Sequence, residues 1–262
     1  MTATEPDLLA AARRSLAAAG RGDRGGWVGL FTPDGRVEDP VGSRPHIGVE
    51  HLGRFYDTFI GPRQIGYRGE VDIVTGSTVI RDLTLDVGMG PSVRLTIPAF
   101  LRYVVRESDG ELKISELQAY WELPPMILQF ARAGVAAGPP GLQLARALLA
   151  NQGFGGAAGF LRGLRRVGRS QRRTLDAALA AVSGGDQLAT RRLLGGATLA
   201  LGDEKPIGVD QLAELLRGAT WAKYLRAGRS IALSVATAQA RGVLITDFAD
   251  DRSINRLRYF TV

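Results

Sequence analysis

The chain has 262 residues, no cysteine, two histidines and a formal charge of +7, which excludes disulfides and thiolate metal sites and leaves too few imidazoles for a histidine-based metal centre. Its composition is that of a folded globular protein, and its length suits two domains. The charge is local: eight arginines (Arg132, Arg146, Arg162, Arg165, Arg166, Arg169, Arg172 and Arg173) lie between Leu123 and Leu175 with no acidic residue among them, and the rest of the chain is near neutral.

Glu5, Asp7, Arg13 and Arg14 interrupt the first residues, so no signal-type apolar core is present and a cytoplasmic location is expected. Leu8, Leu9, Ala12 and Leu16 predict a helix over 5–20, closed by the glycines of "GRGD". A second short helix is expected around Gly26 to Phe31. It leads into "GRVEDPVGSRPHIG" at 35–48, which sets Glu38 and Asp39 against Pro40 at the mouth of a strand. Val49, Leu52, Phe55, Tyr56 and Phe59 form the stripe of a third helix, stopped by Gly61 and Pro62.

The period then changes to two. Residues 70–90, 92–110 and 111–123 alternate apolar and polar side chains, are rich in Val, Ile, Thr and aromatics, and are separated by "TGS", "GMGPS" and "SDG". They predict an antiparallel meander, and helices followed by a meander define an α+β class in which the sheet curls around the N-terminal helices. Residues 123–170 form a helical, apolar and basic connector, with no uninterrupted apolar run of the roughly 18 residues that a membrane span needs.

The remainder repeats the beginning. "LAAVSGGD" at 179–186 echoes "LAAAGRGD" at 16–23, "IGVDQL" at 207–212 echoes "IGVEHL" at 47–52, and "INRLRYFTV" at 254–262 resembles "ISELQAYW" at 114–121. Strands are also expected within 230–248. The expected organisation is therefore a first domain over 1–122, the connector over 123–170 and a degenerate second copy over 171–262.

A helix, "GD", a second helix, "VEDPVG", a helix carrying "FY" and a meander ending in "QAYW" together resemble the ketosteroid isomerases and the wider NTF2-like, or SnoaL-like, superfamily. The resemblance covers about residues 5–122 and, in degraded form, 172–262. It implies a cone-shaped, curved sheet, with Asp39 as the general base of a steroid Δ-isomerase-like enzyme, lifting a proton alpha to a carbonyl on a steroid or similar apolar molecule. Read from the residues alone, an Asp before Pro is also a turn former. Strand alternation puts Glu38 on the opposite face, toward the surface.

The resemblance further implies a pocket lined by Ser15, Phe31, Tyr56, Ala99, Leu117, Ala119 and Trp121. The family's two oxyanion donors fall on Ser15 and Ala99, so both strong donors are missing, with Tyr56 and His46 the nearest replacements by sequence. In the second copy the position of Asp39 falls on Leu201 or Gly202, with Asp203 just beyond, which implies a structural role for that copy.

Two other readings stay open. One is an epoxide hydrolase or cyclase of the two-domain NTF2-like type, in which Glu70, Asp72 or Asp86 would partner Asp39. The other is a non-catalytic sterol- or lipid-binding protein. The expected partners are an apolar small molecule and the other copy within the chain, with homodimer formation open; no metal, cofactor or nucleic acid is expected. Residues 123–173 read either as a peripheral surface for anionic membrane or as a hairpin packing on the sheets.

Overall fold

The structure, a computed structural model, describes every residue except 1, 2, 162, 163 and 165. Arg162 and Arg165 of the basic connector therefore lie outside the described residues. Helix α1 (Glu5–Arg21) starts at Thr4, whose backbone and hydroxyl both pair with Asp7, and buries Leu8, Ala11, Ala12, Ser15 and Leu16 along one face. It ends at Gly22, which takes φ +69° as a left-handed C-cap. Asp23 then caps α2 (Arg24–Gly29) by accepting from the Gly26 N–H at 2.8 Å.

Strand β1 (Phe31–Glu38) follows, then β2 (His46–Ile47), α3 (Val49–Phe55) with a π-helical turn over Tyr56–Ile60, β3 (Gln64–Thr75), β4 (Thr78–Met89), β5 (Val93–Ser108) and β6 (Glu111–Tyr120). They form one sheet in the order β2-β1-β6-β5-β4-β3. β1 runs parallel to β6, with Val37 opposite Leu117, and the remaining pairs are antiparallel. Register shifts between Gly69 and Val71 and between Val104 and Val105 mark the irregularities that let a long sheet curl. β3 starts six residues before the predicted strand because "QIGYRG", which carries no alternation, still pairs with β4 as an exposed edge.

The next segment is helical: α4 (Leu123–Arg132), a 3₁₀ turn over Gly134–Ala137 and α5 (Gly138–Leu161). Leu123, Met126, Phe130 and Leu144 pack on the core of the first sheet. Among the described residues, no helix is long and apolar enough to cross a membrane.

A second unit repeats the first. It comprises α6 (Arg169–Gly184), α7 (Gln187–Leu194), β7 (Thr198–Leu201), β8 (Lys205–Pro206), α8 (Val209–Leu215), β9 (Thr220–Ala227), β10 (Ser230–Ala236), β11 (Arg241–Phe248) and β12 (Ile254–Thr261). Its sheet order, β8-β7-β12-β11-β10-β9, matches that of the first. Gly185 (φ +75°) and Asp186 repeat the helix stop and cap of Gly22 and Asp23. In the parallel pair of β7 and β12, Leu199 faces Leu257 as Val37 faces Leu117, which puts Leu201 where Asp39 stands in the first unit.

The two sheets pack back to back. Alternation would leave one face of each sheet to water, yet Ile73, Ile80, Phe100 and Tyr120 of the first are buried against Leu225, Ala232, Val243, Ile245 and Phe260 of the second. Gly42 and Gly228 meet backbone to backbone at the edge of this contact; a Cβ on Gly228 would lie 2.7 Å from the Gly42 Cα.

Charged groups close the seam. Asp203 accepts from Arg102 Nη2 at 2.8 Å, from the Thr78 hydroxyl at 2.6 Å and from Arg258 Nη1 at 2.9 Å. Burial pushes its carboxyl up, but Arg102, Thr78 and Arg258 outweigh that and hold it at about 2. Glu38 is also on this side and is buried, accepting from the Gly42 N–H at 2.8 Å. The expectation that it faces the surface is thus corrected: alternation does turn it away from the cone, but the second sheet covers that face.

Candidate active site

The concave side of the first sheet, closed by α1 and the π-turn and covered by α4 and α5, encloses a cavity of about 340 Å³. This falls in the range of small-molecule sites. Its walls are apolar: Leu16, Trp27, Phe55, Phe59, Leu85, Val87, Leu95, Ile97, Leu101, Leu117, Met126 and Phe130 all contribute. Among the described lining residues, the polar groups are Ser15, Asp39, Arg63, Tyr103 and the indole N–H groups of Trp27 and Trp121.

Asp39 stands at the end of β1, where the chain turns through a cis Asp39–Pro40 peptide. Trp121, just past the end of the neighbouring β6, donates its Nε1–H to Asp39 Oδ1 at 2.6 Å. Burial pushes the Asp39 carboxyl up to about 6, and the Trp121 hydrogen bond pulls the other way. The group is therefore ionised at neutral pH but far more basic than an exposed carboxylate, as a proton acceptor requires. Its remaining accessible surface opens into cavities: Asp39 also lines a second, polar chamber of about 610 Å³ with Ser43, Arg44, His46, His51 and Asn151.

Tyr103 is the residue that sequence reasoning missed. It lies four residues beyond Ala99 on β5, on the same face by alternation, is fully buried and lines the apolar cavity. Its hydroxyl is buried, with the Ser15 hydroxyl as a polar neighbour and no shorter, well-aligned hydrogen bond among the described residues. Burial pushes the phenol up to about 12, while Arg81 and the neighbouring Ser15 hydroxyl pull it down. It stays protonated, so it is an available donor beside Ser15.

Of the residues anticipated for the pocket, Ser15, Asp39, Leu117 and Trp121 line the cavity together. Phe31, Tyr56, Ala99 and Ala119 are buried but are not among its lining residues. Phe31 and Tyr56 pack behind Trp27 with tilted rings, centroids 4.7 and 5.6 Å from it, and Trp27 presents its own ring to the void. Ala99 and Ala119 end in methyl groups too short to reach past Ile97, Leu101 and Leu117.

His46 sits in the polar chamber against Phe55, with ring centroids 5.0 Å apart, and burial, aided by His51 and Arg44, pushes its imidazole down to about 4. The carboxylates suggested as partners for Asp39 are elsewhere: Asp72 binds Arg13 and Arg81, Asp86 binds Arg68, and Glu70 binds Lys223. Asp72 lies on the concave face opposite Arg81, but its carboxylate is taken by Arg81 at 2.9 Å and by Arg13 of α1 at 2.8 Å, whereas Glu70, at the bulge of β3, turns toward the second unit.

Each unit sets helices against a curved six-stranded sheet of the same strand order, so the chain carries one α+β arrangement twice. No family model matches the chain. Among solved structures it is similar to the Δ5-3-ketosteroid isomerase from Mycobacterium sp., with 28% identity over 45% of this chain and 95% of that one and a TM-score of 0.41. It is also similar to a Mycobacterium tuberculosis protein in complex with estradiol-17beta-hemisuccinate, with 24% identity over 45% and 95% and a TM-score of 0.41. An LEH-like epoxide hydrolase from M. tuberculosis matches with 18% identity over 52% and 97% and a TM-score of 0.43.

Proposed function

We propose that the chain is an isomerase of the ketosteroid isomerase type, acting on a flat, apolar carbonyl compound. The observation that carries this reading is the pairing, in one apolar cavity, of a desolvated carboxylate held by Trp121 with the buried phenol of Tyr103 beside Ser15. Asp39 takes a proton from the carbon alpha to the carbonyl. The electrons move onto the carbonyl oxygen, and the phenol of Tyr103, with Ser15 beside it, donates to the oxyanion. Asp39 then returns the same proton two carbons away, so that no atom is gained or lost and the double bond has moved. The absence of the family's two donors at Ser15 and Ala99 is met by a donor from further along the same strand face.

The test is conversion of a 5-ene-3-ketosteroid to the conjugated enone, followed by ultraviolet absorbance. Wild type should turn over, Asp39→Asn should not, and Asp203→Asn should retain most activity per folded molecule. No turnover by wild type would remove this reading.

A water-using reaction, as in an epoxide hydrolase, is the second reading. It is favoured by the polar chamber that shares Asp39 with the apolar cavity and can bring water to it. Among the described residues neither chamber holds a second carboxylate, which argues for a single acid as base over an acid pair. Incorporation of ¹⁸O from labelled water into product separates the two reactions.

A further inference from the structure

Arg63 follows the π-turn and lines the apolar cavity on one side and, on the other, a small cleft beneath α5 that includes Thr58, Gln143 and Leu144. A guanidinium has five N–H donors and always carries its charge. Here Nη1 donates to the Thr58 carbonyl at 2.6 Å. Among the described residues no carboxylate forms an ion pair with it, whereas the buried strand arginines Arg81, Arg102 and Arg258 each have one. Withdrawal from water pulls it down to about 10, with no neighbouring acid to offset this. An unpaired, desolvated cation is costly to a fold, and placing one on the wall of an apolar cavity has a use only if something else supplies the counter-charge.

We propose that Arg63 receives a carboxylate carried by the ligand, so that the cavity takes an amphipathic acid: an apolar body with one carboxylate end. This rests on the cavity being the ligand site, and it narrows the substrate class. A monoanion fits better than a phosphate ester, because one guanidinium balances one charge and a second charge would be left among apolar walls that already hold Asp39. The planar fork of the side chain matches a carboxylate in bidentate fashion.

Trp27 and Trp121 line the cavity, so binding can be read by quenching of indole fluorescence. The probes are two matched pairs: 3-oxo-4-androstene-17β-carboxylic acid with its methyl ester, and dodecanoic acid with methyl dodecanoate. Wild type should bind the acid of at least one pair tenfold or more tighter than its ester. Arg63→Met and Arg63→Gln should erase that preference, so that acid and ester bind alike, and Arg63→Lys should retain part of it. Equal binding of acid and ester by wild type, or a preference that survives in both Arg63→Met and Arg63→Gln, overturns the proposal and leaves the isomerase reading standing. Failure of all four probes to bind overturns both. The ligand-free Arg63→Met protein should melt no lower than wild type, because the unpaired cation is gone; a lower melting temperature in both variants would make Arg63 a brace for Thr58 instead.

Discussion

Trp121 and Asp39, 82 residues apart, meet through a 2.6 Å hydrogen bond because β1 and β6 run parallel and side by side. The bond favours the ionised carboxylate against the burial that disfavours it. Trp121→Phe should therefore raise the Asp39 pKa above about 6, and the acid limb of the pH–kcat/KM profile should move to higher pH. Asp39→Asn should lose turnover altogether.

The same burial has a signature in stability. A carboxyl at about 6 in the folded protein and near 3.8 when unfolded binds its proton more tightly when folded. Its effect on stability is nil below about pH 4, turns destabilising as pH rises from about 4 to 6, and is constant above. The gap corresponds to about 3 kcal/mol. Asp39→Asn should thus be more stable than wild type by up to that amount at pH 8 and indistinguishable at pH 3.5, measured by urea denaturation.

Tyr103→Phe removes one hydroxyl from the cavity and nothing else. Loss of a single oxyanion donor costs on the order of 10²- to 10³-fold in kcat. Because the hydroxyl makes no strong hydrogen bond among the described residues, stability should change little. A fall in stability with unchanged kcat would assign Tyr103 to packing.

Asp203, held at about 2, behaves in the opposite sense to Asp39. It contributes stability above about pH 4, and that contribution, about 2 kcal/mol, is lost as pH falls from about 4 to 2. Asp203→Ala leaves the buried guanidinium groups of Arg102 and Arg258 short of a counter-charge and should cost about 3 to 5 kcal/mol. Turnover per folded molecule should survive.

On α4, α5 and the turn between them, Leu128, Val135 and Leu142 are exposed near Arg132 and Arg146. If this face meets membrane, binding to anionic vesicles should be clear at low salt and weaken steeply toward about 0.15 M, where the Debye length is about 8 Å. Binding without salt sensitivity, or none, would leave these helices as cover for the cavity alone.

What the sequence made legible followed from period and punctuation. The stripe of α1, the "GRGD" and "SGGD" stops and the alternation of β4 to β6 each have a local cause, and they reappear in the structure. Asp39 and Trp121 were legible as cavity residues only through the resemblance carried by "VEDPVG" and "QAYW". Tyr103 was not, because the resemblance points to Ala99, although strand alternation places 99, 101 and 103 on one face. Arg63 lies in a turn, where no period marks a side chain as facing inward. Glu38 could not be placed from its own strand, since its burial is imposed by a sheet that lies some 200 residues further along the chain.

Gly42 and Gly228 touch where two copies of one fold face each other inside a single chain. When two separate identical chains pair about a two-fold axis, every contact is made twice, and a residue useful on one side must be tolerated on the other. Here that symmetry is lifted. Asp203 can bind Arg102 with no reciprocal acid required of the first unit, and Leu201 can replace Asp39 without cost to the cavity that retains it. The tether also makes the pairing independent of protein concentration, so the copy that holds the cavity can rely on a neighbour that dilution does not remove.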